Sequence, residues 1–104
     1  MNNLHKFNEH GFMAWLRRQN PDRKLVFCDT TGCMIASWLI EEEICDAPNV
    51  GSDGFSEKYP FQSHRFPHWL RTISGIVCDR LSNDFTARDA LVAINEHNAE
   101  LETA

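Results

Sequence analysis

The most reactive side chains in this sequence are four cysteines and five histidines, and two pairs among them have spacings that could hold a metal. Cys28-x4-Cys33 and His64-x3-His68 resemble the halves of a Cys2His2 zinc centre, which needs two thiolates and two imidazoles in tetrahedral reach. The tighter Cys-x2-Cys spacing is absent, and Cys28 and Cys33 lie beside apolar residues that favour burial. Buried thiols and surface histidines are the more economical reading. No metal and no cofactor is expected, with a zinc-stabilised structural domain as an alternative.

Cys28-Asp29 could also supply a nucleophile, because it ends an apolar run and precedes a possible helix N-terminus, which lowers a thiol pKa. A thiol-transfer or phosphatase-like site would need a glycine-rich loop or an arginine there. Asp29-Thr30-Thr31-Gly32-Cys33 offers one glycine and no arginine, and no nucleophile elbow, Walker A, H-E-x-x-H or dinucleotide fingerprint is present. The carboxylates Glu41, Glu42 and Glu43 read as the solvated end of an element. A non-catalytic protein is expected.

A net charge of −5 argues against broad affinity for phosphate backbones. Local basic clusters exist at Arg17, Arg18, Arg23 and Lys24, and again at Arg65, His68 and Arg71 beside Trp69. A helix-turn-helix could be drawn from residues 67–82 and 86–101. Its recognition helix would carry Arg88 against Asp89, Glu96, Glu100 and Glu102, which oppose phosphate. Nucleic acid is therefore the less favoured partner, and a small DNA-binding regulator is an alternative. Residues 1–6 show no apolar secretory segment and no apolar run approaches ~20 residues, so a cytoplasmic protein with reduced thiols and no membrane partner is expected.

Residues 45–66 show no sustained period and hold Phe55, Tyr59, Phe61 and Phe66. Aromatics and arginines are enriched at interface hot spots, so Phe55, Tyr59, Phe61, Arg65, His68 and Arg71 are the candidate binding residues. Completion of a small core is the competing role for the aromatics.

The elements that must position these residues follow from periodicity. A helix over 8–19 has Asn8 as cap, with Phe12, Trp15 and Leu16 on one stripe. Residues 24–28 read as a short strand. Residues 31–44 favour a helix, capped by Thr30 or Thr31, over a strand that would pair back on 24–28. Asp53-Gly54 between Val50 and Phe55 suits a small hairpin, and further short strands fit between 47 and 61. Pro67 suits the first position of a helix over 67–82. Thr86 and Asp89 suit a capping box opening a helix over 86–101, with Ala87, Ala90, Leu91, Ile94 and Leu101 on one face. The expected core is Phe12, Trp15, Leu16, Leu25, Phe27, Ile35, Trp38, Leu39, Trp69, Leu70, Ile73, Val77, Leu91 and Ile94. The expected fold is one mainly α domain over 1–104, of about four helices with one short strand or small β-hairpin; the alternative is α+β with a hairpin at 24–40.

The order Phe12-x-x-Trp15-Leu16, Cys28-Asp29-x-x-x-Cys33-x-Ile35-Ala36-x-x-Leu39, Pro67-x-Trp69 and Thr86-Ala87-x-x-Ala90-Leu91 resembles small uncharacterised phage and prophage proteins. The resemblance implies a helical domain with 33–44 as a helix, and a setting in which small acidic proteins act by binding host proteins. It carries no catalytic or binding residue with it. Together these readings point to a protein-binding module, an inhibitor of a host protein complex being the sharpest form, with a host or phage protein as partner and its oligomeric state open.

Overall fold

The computed structural model describes residues 2–26, 33–51, 53–57, 62–82 and 84–103. Helix α1 (Glu9–Arg18) starts where Asn8, in extended conformation, accepts the Gly11 N–H at 2.7 Å. It buries Phe12, Met13, Trp15 and Leu16, as its stripe predicts. Gly11, a costly residue by helix propensity alone, is explained by crowding. A Cβ there would overlap the Lys6 carbonyl oxygen, in the 3-10 turn Leu4–Lys6 that precedes the helix. Gly11→Ala is therefore expected to destabilise by about 1–3 kcal/mol through overpacking, against the ~1 kcal/mol gain that propensity alone would give. Urea denaturation with an unchanged m-value reads the sign directly.

Among the described residues, strand β1 (Lys24–Val26) forms no hairpin with residues 33–40 and meets them only at an isolated parallel bridge between Val26 and Cys33. It pairs antiparallel with β5 (Asp84–Thr86), Leu25 opposite Phe85, both buried. Of the strand expected over 24–28, residues 27 and 28 lie outside the described residues. Helix α2 (Met34–Glu41) is a helix, as favoured, capped by Cys33, whose Sγ accepts the Ala36 N–H at 3.3 Å. Thr30 and Thr31 also lie outside the described residues.

The helix stops at Glu41 rather than running to residue 44. Glu43 takes the left-handed conformation (φ 56°), the Ile44 N–H donates to Leu39 O at 2.9 Å, and the Glu43 N–H donates to Ile40 O at 3.1 Å. This is a Schellman ending, closed without the usual glycine because Ile44 is fully buried and anchors the turn. The chain's first residues cover that end. The Asn3 amide donates to Glu42 O and Glu43 O at 3.2 and 3.3 Å.

Strands β2 (Pro48–Val50), β3 (Gly54–Glu57) and β4 (Gln62–Arg65) form an antiparallel meander in the order β2-β3-β4. Val50 faces Phe55 across the hairpin expected at Asp53-Gly54. Gly54 is required there, because a Cβ would stand 2.5 Å from the His64 carbonyl oxygen. Pro67 stands just before helix α3 (His68–Arg80), at its N-cap rather than at the first helical position expected, and its carbonyl accepts the Leu70 and Arg71 N–H groups. Helix α4 (Ala87–Thr103) opens on the expected capping box: the Thr86 N–H donates to Asp89 Oδ2 at 3.1 Å, and the Asp89 N–H to Thr86 Oγ1 at 3.2 Å.

The fold is therefore α+β, with four α-helices and two antiparallel sheets of two and three strands among the described residues, and the mainly α, all-α expectation is corrected. The alternative named the right class but the wrong pairing, since 24–26 joins 84–86. The strands are only three or four residues long, and one sheet joins distant segments, so neither sheet leaves a strong local pattern. Both sheets and all four helices contribute to one core cluster. Trp69 and Leu91 pack against it half-buried, Leu101 stays exposed at the end of α4, and Phe27 lies outside the described residues.

Candidate functional site

Alternation along β3 buries Phe55 and Glu57 and turns Gly54 and Ser56 the other way. Register then puts Pro48, Val50, Gln62 and His64 on the inner face, and Asn49, Ser63 and Arg65 on the outer one. On the inner face His64 lies with its ring centroid 5.0 Å from that of Phe55, and its Nε2 is 2.7 Å from Glu57 Oε2. Nε2 thus carries a proton and donates it to a buried carboxylate. A buried charge needs such a partner, and the contact pins β4 to β3.

The outer face is polar. Asn49, Ser56 and Ser63 form a row across the three strands, with Asp53 and Arg65 also lining a shallow recess of about 350 Å3. The sheet's far edge is β4. The Phe66 N–H donates to Asp53 O at 2.9 Å, one step beyond the Gly54–Arg65 pair. Antiparallel pairs alternate between hydrogen-bonded and not, so 55–64 and 57–62 exchange hydrogen bonds while 54–65 and 56–63 do not. The backbone N–H and C=O of Ser63 and Arg65 consequently point away from β3. Among the described residues no strand pairs with them.

Of the expected binding residues that are described, Phe55 and Arg65 line the recess on the sheet, while His68 and Arg71 stand apart on α3. Phe55 is a core residue, 3 % exposed, so its burial fits the competing role of completing the core. Arg65 is exposed on the outer sheet face. His68 opens α3 and lines a different recess of about 220 Å3, between α3 and α4 with Trp69 and His97. Arg71 is exposed three residues along α3 from His68. Tyr59 and Phe61 lie outside the described residues. Asn49, Ser56 and Ser63 escaped notice in the sequence, although the alternation Gly54-Phe55-Ser56-Glu57 was a signal for the face they occupy.

The other constellations also separate. Cys33 caps α2, His64 holds Glu57, and Cys28 is outside the described residues. Among those described, no three histidine, cysteine or acidic side chains gather where they could hold a metal. Burial pushes the Cys45 thiol up, away from the nucleophilic range. In the first basic cluster, Arg18 pairs with Glu42, and Arg23 bonds Glu41 at 2.6 and 2.9 Å. Strand β5 stands where a helix-turn-helix would have its turn. Among the described residues no helix is long and apolar enough to cross a membrane. No family model, curated protein or solved structure matches this chain.

Glu41 also accepts the Trp15 indole N–H at 3.1 Å. The hydrogen bond from Arg23 holds its carboxyl below the ordinary range; burial opposes this, and the Trp15 bond adds to it. A depressed carboxyl stabilises the fold above its unfolded pKa, and the contribution is lost as pH falls through the folded value. Glu41→Gln is thus expected to cost up to about 1 kcal/mol at neutral pH, the range for a partly exposed pair. The gap from the parent should close in acid. A gap that stays constant between neutral and strongly acidic pH would remove Glu41 from the acid response.

Proposed function

We propose that this chain is a non-catalytic protein-binding module that takes an extended segment of its partner along the edge of β4. The observation that carries the reading is the outward direction of the Ser63 and Arg65 backbone groups on a strand with no described neighbour beyond it. An open edge is a template for a further strand, in which main-chain hydrogen bonds supply affinity and alternate side chains supply specificity. Its polar outer side chains keep the edge soluble without covering it. The resemblance to phage and prophage proteins favours a host protein as the partner.

The test separates the edge from the fold. Ser63→Pro deletes an outward N–H and leaves the β3–β4 hydrogen bonds intact, since proline is tolerated on edge strands. Pull-downs from nuclease-treated host lysate, with circular dichroism of each variant, are expected to show a folded Ser63→Pro protein that loses the partners retained by the parent. Equal retention by a folded Ser63→Pro variant, or retention of nothing but nucleic acid before nuclease treatment, overturns the reading.

A further inference from the structure

We infer that the strand added to β4 is acidic, an extended segment with a carboxylate beside Arg65; this rests on the edge reading above. The argument is one of charge. The chain carries a net charge of −5, and Lys6, Arg18, Arg23, Arg80 and Arg88 each have a carboxylate within 4.0 Å. Arg65 has none among the described residues, nor do Arg17, Lys24, His68 and Arg71, and of these Arg65 is the one that stands on the open strand β4. In an acidic protein a guanidinium left unmatched beside an open strand is the group to which an incoming strand must answer.

Register makes the match specific. Strand addition places alternate side chains of the incoming segment on the outer face, next to Ser63 and Arg65, where cross-strand pairs of opposite charge stabilise and like charges repel. Asp53, the acidic group of the same recess, lies at the start of β3, on the side of Arg65 away from the incoming strand. It therefore weakens the preference without reversing it. On the inner face His64 is already engaged by Glu57 and leaves that side neutral in demand.

Fluorescence anisotropy on the full chain tests this with three labelled probes: an extended peptide of alternating threonine and glutamate, its lysine counterpart, and the glutamate peptide N-methylated at alternate amides. The glutamate peptide should bind more tightly than the lysine one, and the N-methylated probe should not bind. Arg65→Glu should weaken the glutamate peptide by about three- to tenfold and strengthen the lysine one. Equal binding of both charged peptides, unmoved by Arg65→Glu, overturns the acidic partner while leaving strand addition standing. Binding of the N-methylated probe as tight as that of its parent overturns strand addition, and failure of every peptide overturns both.

Discussion

Trp38→Ala is expected to cost about 3–5 kcal/mol, the range for a large aromatic removed from a packed core. Trp38 is fully buried at the centre of a ring cluster. Phe7 stacks on it at 5.4 Å, while Phe12 at 5.2 Å and Trp69 at 5.9 Å stand nearly perpendicular. These contacts join the N-terminal turn, α1, α2 and α3, so the void would open where four elements meet. Against a total stability of ~5–15 kcal/mol the loss leaves little. Thermal melting should fall by at least about 12 °C, at ~4–8 °C per kcal/mol for a domain near this size; a shift under about 5 °C would remove Trp38 from the centre of the core. Trp38→Phe should be far milder. The indole Nε1 is buried without a hydrogen-bond partner among the described residues, so removing it relieves a desolvation cost while the remaining ring keeps most of the packing.

Phe55→Ala carries the second large effect, again about 3–5 kcal/mol, and separates packing from recognition. The ring lies between Phe7 at 6.0 Å and Phe66 at 6.4 Å, opposite Val50 on one strand and His64 on the other. Without it the meander loses the apolar anchor that holds its inner face to the helices. Arg65→Ala, on the exposed face, should stay within about 0.5 kcal/mol of the parent. Denaturation curves paired with partner binding, measured where both variants are folded, should show Phe55→Ala impaired in stability and Arg65→Ala impaired in binding. The opposite assignment would return Phe55 to the interface.

Which features the sequence disclosed follows from where their information lies. The capping box at Thr86 and Asp89, the cap at Asn8 and the Val50–Phe55 hairpin depend on residues a few positions apart, and all three are found. The early stop of α2 was hidden because Glu43 adopts a left-handed conformation that burial of Ile44 enforces, and that burial is tertiary. Strand β4 was hidden because Gln62-Ser63-His64-Arg65 has no apolar alternation; its one inward contact of note is a histidine on a buried glutamate. Strand β5 spans three residues, and its partner lies at the other end of the chain. The candidate site suffered for the same reasons. Clustering aromatics and arginines by sequence joined Phe55, which is inside, to Arg65 and His68, which Phe66-Pro67 sends to different surfaces.

The two sheets differ in what they ask of a chain that has not yet folded. The meander joins neighbours through turns of a few residues, whereas Lys24 must find Thr86 about 60 residues away. Closing the larger loop spans about four doublings of length and costs roughly 2–3 kcal/mol more chain entropy than closing the hairpin. Local pairings therefore have the lead in time, and the seam between residues 24–26 and 84–86 closes once α3 and the meander have shortened the effective distance between its halves. Synthesis imposes the same order, because β5 and α4 leave the ribosome after α1 and β1. Until they do, Leu25 and the apolar face of α1 await their cover, and the nascent protein is most open to capture or aggregation in that interval.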